Sequence, residues 1–174
     1  MKINFKIFIA FFAINISLFA NAQNNFPEIK GEDLTGKLVE IPRDATGKPT
    51  FIILGYSYRA REITEKWLQE YERKFSKNTN FYLVPMMGNK VATKAMSFFI
   101  NQSMKSGTPV NEHKHVITVY QDLNPIKKSL NFVSNEDVYV YLLDTNGKII
   151  WSETGKFNRK SFYELEEKLK EYRN

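Results

Sequence analysis

The chain of 174 residues has no cysteine, only two histidines and two tryptophans, and only six prolines and eight glycines. Without a thiol there is no disulfide framework, no thiol–disulfide exchange, no cysteine-based peroxide chemistry and no lipid carried on a cysteine. A glycine loop for phosphates is missing, as are a Gly-x-Ser-x-Gly elbow and paired carboxylates at a catalytic spacing. No cofactor is therefore expected. A surplus of one charge sign is also lacking. The 25 basic and 19 acidic side chains are interleaved, leaving +6, which is no footprint for nucleic acid but permits a mild attraction to anionic membrane surfaces.

The N-terminus carries what apolar continuity the chain has. Lys2 and Lys6 precede an apolar stretch from Ile7 to Phe19, and Ala20-Asn21-Ala22 has the small-x-small form of a cleavage site. Residues 1–22 are expected to be a signal peptide, placing residues 23–174 in the periplasm or outside the cell at a net charge of +4 once Lys2 and Lys6 are gone. The competing expectation is an uncleaved N-terminal anchor, for which the run is short against a bilayer core of about 30 Å. What remains is the length of one domain with a proper core, stabilised by packing alone.

Along that domain, helical and strand patterns alternate. After a polar lead, Phe26 to Gly36, the residues Leu38 to Pro42 predict an edge strand, and Phe51 to Leu54 is a continuous apolar run of the kind that fills a central strand. Ile63, Trp67, Tyr71 and Phe75 recur every fourth position on a helix. Phe81 to Val84 predicts a second buried strand, and Val91 to Met104 a second helix, apolar around much of its circumference and expected to be buried, to cover a groove or to meet a partner. Val116 to Tyr120 predicts a third strand and Pro125 to Leu130 a short helix. Val138 to Leu143 and Lys148 to Trp151 flank an Asn-Gly pair, the strongest short-range hairpin signal here. A last helix, Arg159 to Tyr172, has an apolar stripe and the i,i+4 pairs Glu164 with Lys168 and Glu166 with Lys170. The order predicts an α/β fold, a central mixed sheet with helices on both faces.

The segments GEDLTGKLVEIP, GKPTFIILGYS, REITEKW and VYVYLLDTNGKIIW together resemble the thioredoxin-like superfamily in its redoxin or peroxiredoxin-like branch. The resemblance covers the whole mature length and implies a three-layer sandwich. FPEIKGEDLTGKLVEIP, the pair Arg59 and Trp67, the Pro-Met-Met-Gly at Pro85 to Gly88 and the strand ending Leu-Leu-Asp are similar to the thioredoxin-fold assembly factors of the mitochondrial ATP synthase, which help a membrane subunit assemble. That narrower likeness implies a protein partner, with a membrane protein among the possibilities.

The departures from the redox pattern lie in one place. Matching Glu62-Ile63 to the Glu-Ile after a thioredoxin Cys-x-x-Cys puts the two cysteine positions on Tyr56 and Arg59. Matching Gly55-Tyr56-Ser57 to the Gly-Tyr-Thr of copper-chaperone-like redoxins puts the first on Arg59. The family's cis-proline position falls on Val138, and a cis bond before a residue other than proline costs about 2.5–4 kcal/mol. Tyr56, Ser57, Tyr58, Arg59, Arg61 and Val138 thus form the candidate binding end. A strand end beside a helix N-terminus favours an anion, and arginine favours a carboxylate or phosphate. The plainer reading is a surface loop whose side chains cover core edges.

The leading expectation is a redox-inactive envelope protein that binds a protein or peptide as an assembly or folding helper. A metal-binding envelope protein is the first alternative. His113 and His115, with Glu112 nearby, would share one side of a strand but lack a third assured ligand, while Met86, Met87, Met96 and Met104 are expected to fill core. The other alternative is a cysteine-free enzyme built on Ser57.

Overall fold

The computed structural model describes residues 25–75, 79–89 and 94–172; the expected signal peptide and the start of the expected second helix, residues 91–93, lie outside them. Among the described residues, seven strands and four α-helices follow one another as β1 (Ile29–Asp33), β2 (Leu38–Ile41), β3 (Thr50–Gly55), α1 (Ala60–Phe75), β4 (Asn80–Pro85), α2 (Lys94–Gly107), β5 (Ile117–Thr118), α3 (Asn124–Ser129), β6 (Val138–Leu143), β7 (Ile149–Thr154) and α4 (Arg159–Lys170). A four-stranded mixed sheet runs β4-β3-β6-β7, with β3 parallel to β4 and antiparallel to β6. A smaller sheet, β2-β1-β5, joins the β4 side through parallel bridges Leu83 to Val116 and Met86 to Val119.

Both faces of the central sheet are covered, which is why β3 and β6 are apolar at successive positions instead of alternating. On one face Phe51, Ile53, Val140 and Leu142 pack against Trp67, Tyr71 and Phe75 of α1 and Phe162, Leu165 and Leu169 of α4. On the other, Ile52, Leu54, Tyr139 and Tyr141 meet the short helix α3 through Ile126 and the hairpin β1-β2 through Ile29, Val39 and Ile41. The three layers place the C-terminal ends of β3 and β4 beside the start of β6, where the candidate site stands.

Several expectations are corrected. The polar lead contains β1, a strand whose burial is confined to Ile29 and Asp33 at its ends and whose middle residue, Gly31, is forced by crowding: a Cβ there would lie 2.5 Å from Ile117 Cγ2 and 2.7 Å from the Thr118 carbonyl. The Asn-Gly hairpin forms, but as a three-residue loop. The Asp144 carboxylate accepts from the Asn146 and Lys148 amides at 2.8 and 2.9 Å, and Gly147 alone takes positive φ, +81°, so a type I′ turn, which needs two such residues, is excluded. On α4 the charged pairs are Lys168 with Glu171 and Lys170 with Glu167, and Glu166 reaches across to Lys74 of α1. The helix α2 is not buried: Phe98 and Phe99 are 58% and 71% exposed, and Met96 is exposed instead of filling core. The histidines sit on a 3₁₀ turn, Val110–His115, and not on a strand.

Candidate functional site

Strand β3 ends at Gly55, which lies opposite Val138 at the first position of β6. That register sets the loop 56–59, which leads into α1, beside the loop 131–137, which leads into β6. Val138 is fully buried, and its carbonyl accepts from the Gly155 amide at 2.8 Å. Among the described residues the cis peptide is Ile41–Pro42, so Val138 enters its strand through a trans bond. Trp67 of α1 donates from Nε1 to the Gly155 carbonyl at 3.0 Å and packs edge-on to Phe157, tying α1 to the end of β7.

The six candidate residues divide into a packed base and an open rim. Tyr56 is half-buried, its ring 4.6 Å from Phe132 and 5.8 Å from Tyr139, and Lys127 Nζ stands 5.2 Å from the Tyr56 ring and 4.3 Å from that of Phe132. Burial first, then the neighbouring Tyr141 and Tyr139, pushes the Tyr56 hydroxyl above its usual value of 10, so it stays protonated at any physiological pH. Tyr58, by contrast, is 84% exposed, and Val133 of the facing loop is 82% exposed. Arg59 Nη1 lies 3.3 Å from the Glu136 carboxylate, and Arg61 Nε lies 2.6 Å from that of Glu65, one helical turn on. The carboxylate partners of both arginines are thus supplied by the chain itself. An ion pair this exposed holds its loops together only modestly.

Tyr139 does more to fix the rim. Its hydroxyl accepts from the Val133 and Ser134 amides at 2.9 and 2.8 Å and donates to the Ser134 carbonyl at 3.2 Å. Lys127 donates to Asn135 Oδ1 at 2.9 Å. Phe132, Tyr139, Lys127 and Glu136 are candidate-site residues that the sequence does not single out as such; the available signal is the pair of aromatics, Phe132 and Tyr139, on either side of the short polar run Ser134 to Asp137. Ser57 Oγ is buried with no hydrogen-bond partner among the described residues, and so has none of the general base that serine nucleophiles need.

The histidines stand apart from this end. His113 donates from Nε2 to the Thr108 carbonyl at 3.0 Å, and His115 donates from Nδ1 to the Phe81 carbonyl at 3.0 Å while stacking on the Phe81 ring at 4.1 Å. Burial lowers the His115 pKa from its usual 6.5. The described residues contain no group of three or more His, Cys, Asp or Glu placed to hold a metal ion.

Solved structures share this architecture at low identity. The thioredoxin domain of a thiol-disulfide oxidoreductase from Bacteroides vulgatus superposes with a TM-score of 0.58 at 21% identity, covering 84% of this chain and 95% of that one. Yeast Sco1 with copper bound gives 0.56 at 15% identity, over 86% and 94%. BsSco, a member of the Sco family of cytochrome c oxidase assembly proteins, gives 0.59 at 9% identity, over 86% and 93%. These likenesses establish a thioredoxin-like fold. No curated protein matches the chain. The family model for the ATP10 protein matches residues 2–171. On that match the chain belongs to the ATP10 protein family.

Proposed function

We propose that this protein is a redox-inactive assembly helper of the cell envelope, and that it holds a segment of a membrane protein at the rim formed by Tyr58, Arg59 and Val133. The observation that carries the reading is the substitution at the former thiol positions. Tyr56 is packed into the base of the site and Arg59 is paired with Glu136, so this end offers shape and charge but nothing to oxidise or reduce. An exposed tyrosine, an arginine and an apolar residue beside a rigid base are the side chains that anchor protein interfaces. Membership of the ATP10 family and the resemblance to ATP synthase assembly factors favour a subunit of a membrane complex as the client, and the N-terminal segment favours the envelope as the place.

Affinity purification from membranes of the native host tests this. A defined membrane protein should co-purify with the wild type, and Tyr58→Ala combined with Arg59→Ala should reduce its recovery about tenfold or more, as truncation of two anchors does. Undiminished recovery would remove the rim from the mechanism. An insulin-reduction assay is expected to be blank, and turnover would overthrow the redox-inactive reading.

A further inference from the structure

Lys127, on the short helix α3, is a half-buried cation without a counter-ion. Its ammonium stands over the Phe132 and Tyr56 rings and donates to Asn135 Oδ1, yet it makes no ion pair among the described residues. Its carbonyl accepts from the Phe132 amide at 2.9 Å, which fixes the root of the side chain to the ring it covers. An ammonium has three N–H groups, and Asn135 takes one. Arg59 holds the next residue of the same loop, Glu136, through a single contact from Nη1 with its side chain 83% exposed. The guanidinium fork, which suits a carboxylate bidentately, is therefore left open. Two cations from separate elements thus close on neighbouring residues of one loop, and Glu136 is the one carboxylate paired with either. Of the other acidic residues at this end, Glu65 is paired with Arg61, and Asp137 Oδ1 lies on the β7 side, 4.0 Å from where a Cβ at Gly155 would stand. Glu62, exposed on the first turn of α1, forms no ion pair among the described residues.

From this arrangement we infer that the segment held at the rim carries a carboxylate, which takes the open N–H groups of Lys127 and Arg59 and displaces Glu136. The inference rests on the reading of the rim as a protein-binding surface and adds the chemistry of the client to it. A half-buried ammonium over two rings has given up part of its hydration, so a carboxylate gains more from it than from a fully solvated lysine. The contact it displaces is exposed on both sides, 83% and 57%, and costs little to break. Exposed Tyr58 and Val133, next in sequence to Arg59 and Phe132, suit an acidic residue set among apolar ones in a peptide; a bare phosphate would leave both side chains unused.

The test is an NMR titration of the isotope-labelled full chain with three acetylated peptides: Ala-Val-Glu-Val-Ala-amide, its Gln counterpart, and the Gln counterpart with a free C-terminal carboxylate. Amide shifts of Tyr58, Arg59, Asn135 and Glu136 report binding. At least one of the two peptides that carry a carboxylate should bind about fivefold or more tighter than the one that carries none. Which of them does so assigns the source to an acidic side chain or to a chain end. Lys127→Gln should erase the preference and Lys127→Arg should keep it. Glu136→Gln should tighten the preferred peptide, whereas a purely structural ion pair predicts that it loosens. Equal binding of all three peptides, a preference that survives Lys127→Gln, or no shifts with any of them would overturn the inference. The rim reading fails separately. Client recovery that still depends on Tyr58 and Arg59 upholds the rim when the preference is absent, and undiminished recovery in the double variant removes the rim's role even when the preference is present.

Discussion

Replacing Tyr139 by phenylalanine removes one oxygen and leaves the ring where it packs between Tyr56 and Phe132. No cavity forms, so the cost comes from hydrogen bonds alone. The Val133 and Ser134 amides lose their acceptor and the Ser134 carbonyl loses a donor. A buried orphan costs about 1–3 kcal/mol, but the loop is open on the Val133 side and water recovers part of it. A total of about 2 kcal/mol is expected, which for a urea slope of about 1–3 kcal/mol per molar lowers the midpoint by about 1 M. The sharper assay is native-state hydrogen exchange. Protection of the Val133 and Ser134 amides should fall by more than that of the β3 amides, because the loss is local. The proposed binding rim should then loosen, with weaker recovery of the proposed client although neither Tyr58 nor Arg59 is altered. If both amides exchange as slowly in Tyr139→Phe as in the wild type, the hydroxyl does not clamp the loop and the account of a pre-formed rim fails.

Other consequences follow from packing and charge. Gly31→Ala places a methyl against the Thr118 carbonyl and Ile117, and should destabilise the fold by about 1–3 kcal/mol in chemical denaturation; a neutral result would mean that β1 and β5 separate freely. Trp67→Phe loses the hydrogen bond to Gly155 and leaves a cavity, lowering stability by about 2–4 kcal/mol. Glu72 has its pKa raised above the usual 4.5 by burial and then by Glu112. The folded state therefore holds its proton more tightly than the unfolded one, a contribution fully present below 4.5 and lost as pH rises through the higher folded value. Glu72→Gln should accordingly raise the melting temperature at pH 7 and have little effect at pH 4; the reverse order would contradict the burial argument. For His115 the sign is opposite. Its folded pKa is lowered, so its contribution is present above 6.5 and lost as pH falls, and its ring protons should titrate by NMR with a midpoint below 6.5.

Where the sequence carried its own explanation, the reading was close. Phe51 to Leu54 and Val138 to Leu143 announce central strands because a sheet covered on both faces needs side chains that are apolar at every position. Strand β1 gave no such signal, since Lys30, Gly31 and Glu32 are there for backbone pairing and close approach. For α2 the sequence leaves burial, a groove and a partner open, and the exposure of Phe98 and Phe99 removes burial alone: apolar residues reveal that a surface avoids water, not that this chain supplies the cover. The Gly55 to Arg61 turn is legible as a candidate site because the missing cysteines mark it, and the flanking Glu-Ile places Arg59 there. Its partner Glu136 could not, because that pairing spans the whole crossover between β3 and β6 and depends on their register. Tyr139 reads simply as a core strand residue until its hydroxyl is seen to hold two amides of the preceding loop.

The central claim is that the end of the sheet where related folds keep their thiols is here a protein-binding rim. Site-specific photocrosslinking in cells of the native host tests it most directly, with a photoreactive residue in place of Tyr58 at the rim or of Tyr163, exposed on α4. The account predicts one discrete membrane-protein adduct from position 58, lost when Arg59→Ala is added, and none from position 163. No adduct at position 58, or the same adduct from both positions, would contradict it.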